Sequence, residues 1–150
     1  MRRTLLLLVF LIVPCAQAQT ACTQLSTLAC GANSGSLSTS SCAAFDSSYY
    51  QLWTFTGTAG DVVTTDMTSS SFDAFLALLD PSGTPLADND DVSSTNTNAR
   101  ITFTLTATGT WTVVANSLKA TQTGDYTVTL SSSSCTVPAS VPRRRAVGRG

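Results

Sequence analysis

Apolar and polar positions alternate along most of this chain with a period of two. Between Val62 and Ser69, Val63, Thr65 and Met67 share one side. From Arg100 to Thr106, Ile101, Phe103 and Leu105 face one way and Thr102, Thr104 and Thr106 the other. Trp111, Val113 and Ala115 repeat the pattern, as do Tyr126, Val128 and Leu130. Tyr49 to Thr56 is aromatic, with Tyr49, Gln51, Trp53 and Phe55 on one face. Phe72 to Leu79 is an apolar run broken only by Asp73. Asp80-Pro81-Ser82-Gly83 ends that run with turn chemistry, since proline fixes φ and glycine accepts positive φ. A short return strand at Pro85–Ala87 and an acidic loop through Asp91 complete a hairpin that reads as the centre of the domain. Gly31 to Ser38 offers one weak edge strand. No helical i, i+3, i+4, i+7 stripe follows Gln19.

Short strands with one apolar and one threonine-rich face, separated by Gly, Asn, Asp and Ser turns, predict an all-β fold. The expected architecture is a single antiparallel jelly-roll-like β-sandwich of seven to eight strands. Its core should hold Trp53, Phe55, Val63, Met67, Leu76, Leu78, Ile101, Phe103, Leu105, Trp111, Val113, Tyr126, Val128 and Leu130. At roughly 1.5–3 kcal/mol per large side chain buried, such a core supports one domain.

Both ends fall outside that domain. Arg2 and Arg3, the apolar run Leu5–Val13 and the small residues of Ala16-Gln17-Ala18 predict a cleaved signal peptide over residues 1–18. A lipid anchor at Cys15 is the rival, poorly served by the preceding Pro14. No later stretch reaches the roughly 20 apolar residues of a membrane span. The sandwich is expected over residues 19–136, and residues 137–150, with Pro138, Pro142 and four arginines, as a disordered basic tail. Losing Arg2 and Arg3 leaves six basic residues against nine aspartates, a net charge of −3. Outside the tail only Arg100 and Lys119 oppose those aspartates, so the body stands at −7. That charge repels phosphate backbones and argues against nucleic acid. The expected setting is secreted, extracellular or periplasmic.

Cys22, Cys30, Cys42 and Cys135 remain after cleavage, an even set that predicts two disulfides in an exported chain. Cys22–Cys135 with Cys30–Cys42 is the expected pairing, tying the two ends together and closing the weak first strand. Cys22–Cys30 with Cys42–Cys135 is the rival.

The segments YYQLWTFTGTAGD, FDAFLALLDPSGTPLADNDD, NARITFTLTATGTWTVVANS and TGDYTVTLS, in that order, resemble the bacterial pre-peptidase C-terminal domain. The resemblance runs from about Cys30 to Ser131. It implies a jelly-roll-like sandwich appended to secreted proteases and other exported enzymes, with bacterial collagen-binding domains as relatives. It also implies an accessory module, sometimes calcium-binding, that aids secretion or holds an enzyme on an insoluble substrate. Gln51 stands where the family commonly has an acidic residue, which puts an ion or hydrogen-bond role there in question. No catalytic domain precedes the module, so the expectation is an accessory domain alone.

The chemistry agrees with that expectation. There is no histidine for a Ser-His-Asp or Cys-His site and no glutamate for a Glu-based glycosidase. An Asp pair leaves an unrecognised hydrolase as the last of three function classes, but aspartates at turns are what turn chemistry alone produces, and the chain reads as no enzyme. Calcium is the one cofactor the residues suggest, through Asp80, Asp88, Asp90 and Asp91, because hard cations gather carboxylate and carbonyl oxygens. The rival reading is a solvated acidic turn in which Asp80 and Asp88 cap local backbone groups. Asp88-x-Asp90 starts like an EF-hand loop but lacks its glycine and closing glutamate. Asp73 is expected to be structural, Trp53 and Trp111 to be core, and Tyr49 and Tyr50 to be the better candidates for exposed contact. The partner expected is an extracellular polymer or a secreted enzyme, with assembly into a surface structure as the second reading.

Overall fold

A computed structural model describes Cys22 and residues 24–135. The expected signal peptide and basic tail lie outside the described residues. Every regular element among them is a strand: β1 (Leu25–Thr27), β2 (Gly31–Leu37), β3 (Cys42–Ala43), β4 (Tyr49–Gly57), β5 (Val62–Thr68), β6 (Ala74–Leu79), β7 (Pro85–Asn89), β8 (Ala99–Thr104), β9 (Gly109–Ser117) and β10 (Gly124–Ser132). They form two sheets. The first runs β1-β4-β9-β6-β7, with β3 also on β4, and the second runs β2-β10-β5-β8.

The period-two pattern decides which side chains meet between the sheets. Trp111, Met67, Leu76, Leu78, Val113 and Val128 are fully buried there, with Trp53, Phe55, Ile101, Leu105, Tyr126 and Leu130 nearly so. Phe103 is the one expected core residue left half-buried; it packs on the rim with its ring 6.0 Å from that of Trp111. The alternate threonines face outward, and Thr64 and Thr102 share a cross-strand hydroxyl contact at 3.0 Å.

Three features depart from the sequence reading. There are ten strands, because the N-terminal segment contributes the short β1 and β3. β1 pairs with β4 in parallel, against the antiparallel rule of the rest. The 72–91 hairpin lies at the edge of its sheet, and β4 and β9, paired over eight positions, form the middle.

The cysteines pair in the third possible way. Cys22 joins Cys42 and Cys30 joins Cys135, with Cα separations of 5.6 and 5.8 Å. The expected Cys22–Cys135 and Cys30–Cys42 bridges, and the rival pairing, are therefore replaced. The parallel register of β1 carries Cys22 to the start of β4, where Cys42 pairs opposite Tyr50. Cys30 bridges to Leu130 at the far end of the sandwich, and Cys135 folds back there with its N–H on the Ser132 carbonyl. Cys22 and Cys135 thus sit at opposite ends.

Strand direction sorts the connections in the same way. Residues 38–41, 44–48, 69–73, 90–98 and 118–123 converge on one end, and the tight turns at 58–61, 80–84 and 105–108 on the other.

Candidate binding surface

The four aspartates expected to hold calcium do not converge. Asp80 closes the β6–β7 turn: its Oδ1 accepts the Ser82 N–H (2.8 Å), the Ser82 hydroxyl (2.6 Å) and the Thr84 N–H (2.9 Å). The Ser82 hydroxyl, then the Thr84 amide, hold its carboxyl below the usual carboxylate range. Gly83, at φ +85°, supplies the left-handed residue this turn needs. Asp90 and Asp91 lie past the other end of β7, roughly 16 Å away at about 3.3 Å per residue. Asp88 sits on β7 opposite Ala77. Asn89 ties its surroundings by donating to the Asp91 carbonyl (3.1 Å) and accepting the Arg100 N–H (2.9 Å). Among the described residues, no three His, Cys, Asp or Glu side chains form a group fit for a metal ion. The expected approach of Asp80 across the hairpin fails because a two-stranded ribbon separates its turn from its open end.

Asp73 faces Lys119, with Oδ2 and Nζ 3.7 Å apart, and its carbonyl accepts the Leu118 N–H at 2.8 Å. The backbone bond ties the 118–123 connection, while the carboxylate accepts no backbone N–H and its Oδ1 has no hydrogen-bond partner among the described residues.

The end where five connections meet carries two features that alternation does not show. One is an open groove of about 930 Å³ on the second sheet, lined by Ser34, Ser36, Thr68, Asn98, Asp125 and Thr127 among others. Its lining is mixed: hydroxyls, the Asn98 amide and the Asp125 carboxylate stand beside Gly35 and Tyr126. Ser69 braces it, donating its hydroxyl to the Asp125 carbonyl (2.8 Å) and its N–H to Asn98 Oδ1 (3.2 Å).

The other is the β3–β4 turn. Its backbone closes on itself through Ser47 N–H to the Ala44 carbonyl (3.0 Å) and Ala44 N–H to the Ser48 carbonyl (2.8 Å). The three-residue loop ends on a left-handed residue, Ser47 at φ +67°, as three-residue hairpin loops commonly do. Asp46 Oδ1 accepts both the hydroxyl (2.6 Å) and the N–H (3.0 Å) of Ser48, which hold its carboxyl below the usual range. Ser48 itself is fully buried and accepts from Asn116, and Thr121 N–H bonds the Ser47 carbonyl at 2.9 Å. The Cys22–Cys42 bridge lies two residues before the turn. On this fastened loop Phe45 stands 95% exposed. Sequence reasoning passed over Phe45; the available signal was a lone aromatic inside a Ser/Asp turn, outside any alternating run.

Beneath the groove lies a buried polar chain. Trp53 Nε1–H donates to the Tyr126 hydroxyl at 2.9 Å, and that hydroxyl donates to Gln51 Oε1. Burial pushes the Tyr126 phenol up to about 12, the Trp53 bond opposing it. The group therefore stays a neutral linker through the physiological range. The Tyr126 ring lies against Gly35, where an added Cβ would come within 2.3 Å of Cζ. Gln51, the departure from the family pattern, thus has a defined role as the acceptor ending this chain. Trp53 and Trp111 are buried and give no stacking platform. Tyr49 and Tyr50 are half-buried at the start of β4.

Residues 49–117 match the family model of the bacterial pre-peptidase C-terminal domain. No curated protein matches the chain significantly. Among solved structures, the pre-peptidase C-terminal domain of collagenase from Bacillus anthracis is similar at 12% identity and a TM-score of 0.51. The likeness covers 72% of this chain and 95% of that one. PliG of Salmonella Typhimurium, a periplasmic inhibitor of g-type lysozyme, is similar at 16% identity and a TM-score of 0.51, over 73% of this chain and 98% of that one. At these identities the two structures speak for the fold.

Proposed function

Starting from the fact that residues 49–117 carry a bacterial pre-peptidase C-terminal domain, we propose that the chain is a non-catalytic binding module acting outside the cytoplasm. The family supplies non-catalytic modules of secreted proteases. Two cysteine pairs at disulfide separation suit an oxidising compartment. The observation that carries the reading is the end where five connections converge, with its open groove and exposed aromatic turn. A rigid sandwich presenting ligand-facing loops at one end is a common way to build a binding site. The ligand proposed is an extracellular polymer or a secreted enzyme, by analogy with a collagenase module and an enzyme inhibitor of the same fold.

The test fuses the chain to a fluorescent reporter. Co-sedimentation is measured with insoluble collagen and peptidoglycan, and titration against a g-type lysozyme follows inhibition. Retention or inhibition beyond that of the reporter alone is expected, weakened by Ser36→Trp, which fills the groove from an exposed strand position. Behaviour identical to the reporter in every assay would refute the binding reading.

A second reading, surface assembly, has one observation in its favour. Register places Leu25, Leu52, Val114 and Ala77 in a row across the outer face of the first sheet. Leu25 is 62% exposed and the other three are half-buried. Sedimentation velocity separates the readings: self-association abolished by Leu52→Asp supports assembly, and a monomer at all concentrations removes it.

A further inference from the structure

Phe45 is the most exposed large apolar side chain among the described residues, yet it stands on one of the most tightly held turns. Scattered apolar residues on a surface need no explanation by themselves; what sets Phe45 apart is how firmly the turn beneath it is held. The turn is closed by two backbone bonds, braced by Asp46 on Ser48, bonded to the 118–123 connection and cross-linked by Cys22–Cys42 two residues earlier. A rigid projecting aromatic loses little conformational freedom on insertion into a partner, which is the character of an interface anchor.

The charge around it limits the partner. The same end carries Asp46, Asp73, Asp90, Asp91 and Asp125, answered among the described residues by Lys119, which already faces Asp73. Arg100 is occupied by Asp66. A second copy presenting the same face would meet like charge, and an anionic lipid surface would be repelled in the same way. A neutral glycan would draw nothing from the field. A basic protein surface with an apolar pocket satisfies both features at once.

Resting on the binding-module reading, we infer that the Phe45 turn, on the acidic end of the sandwich, is a docking site for a cationic protein, with Phe45 inserted into the partner's apolar pocket. The aspartates steer encounter and the aromatic sets residence, so the two contributions separate experimentally.

The probe is a phage-displayed library of random peptides, panned on immobilised chain purified from an oxidising compartment. Enriched peptides should combine Lys or Arg with Leu, Phe or Trp. Phe45→Ser should weaken the best peptide at least about tenfold, as anchor residues do. Its melting temperature should not move, since the side chain is exposed. Asp90→Asn with Asp91→Asn should slow association several-fold, and raising salt from about 50 to about 300 mM should do the same in the parent. Enriched peptides that bind Phe45→Ser as well as the parent would overturn this site while leaving the module a binder. Peptides without basic bias, or no enrichment at all, would overturn it too. So would Phe45-dependent binding to phosphatidylglycerol vesicles, or capture seen only after residues 138–150 are removed, which would assign the turn to the chain's own arginines.

Discussion

Replacing Tyr126 with phenylalanine tests whether the polar chain inside the sandwich stabilises the fold or merely fits within it. The ring, its edge-on contacts with Trp53 (6.5 Å) and Phe72 (6.2 Å), and the close approach to Gly35 all survive. Only the hydroxyl is lost. Trp53 Nε1–H then has no acceptor while remaining 7% exposed, a buried donor costing about 1–3 kcal/mol. Gln51 is half-buried, so its carbonyl turns toward water at a smaller cost of about 0.5 kcal/mol. Relief from burying the phenol oxygen offsets part of this, leaving a loss of about 2 kcal/mol. For a domain of about 110 residues that lowers Tm by about 8 °C. Thermal and urea melts of parent and Tyr126→Phe under oxidising conditions measure it. A variant equal to or more stable than the parent would refute the reasoning, because desolvation of the hydroxyl would then outweigh its two bonds. The parent has a matching alkaline signature. The folded phenol titrates near 12 and the unfolded one near 10, so the contribution is complete below pH 10 and lost as pH rises through 12. In Tyr126→Phe that limb of the stability curve should be missing.

Gly35→Ala should destabilise by about 1–3 kcal/mol, since its Cβ would meet the Tyr126 ring at 2.3 Å and backbone or ring must shift; an unchanged urea midpoint would contradict the packing. Non-reducing peptide mapping should recover Cys22 linked to Cys42 and Cys30 linked to Cys135, and any peptide joining Cys22 to Cys135 would overturn this connectivity. Of the two bridges, removing Cys30–Cys135, which spans 105 residues, should cost more than removing Cys22–Cys42, which spans 20; chain entropy puts these at about 4.7 and 3 kcal/mol. Asp80→Ala should loosen the β6–β7 turn and remove a component of stability that the parent keeps above pH 3.8 and loses as pH falls through the lowered carboxyl pKa. Hydrogen exchange at Ser82 and Thr84 reads the loosening directly. With the acidic side chains divided between the two ends, millimolar calcium should leave the melting curve within about 1 °C of that in chelator; a rise of several degrees would mean that Asp88, Asp90 and Asp91 gather an ion without Asp80.

The strands were legible in the sequence because a half-buried pleated surface demands alternation, and alternation needs only neighbouring residues to be visible. Val63, Thr65 and Met67, or Trp111, Val113 and Ala115, declare their inward face without reference to any partner. The DPSGT turn was equally local, since Asp80 finds all its donors within four residues. The same local chemistry accounts for Asp46 and Asp61, which accept turn N–H groups, but not for Asp66, Asp88 and Asp125, which lie on strands. What the sequence did not contain was the order of the strands. The N-terminal segment has little to bury, so its placement depends on the open edges of β4 and β10 and not on its own pattern; that placement sets the parallel β1 and both disulfides. The separation of Asp80 from Asp90 and Asp91 follows from β7 being extended rather than folded back. Phe45 was hidden for the converse reason: exposure is a property of everything that fails to cover a residue, and covering is decided by distant parts of the chain brought together only when the two sheets close.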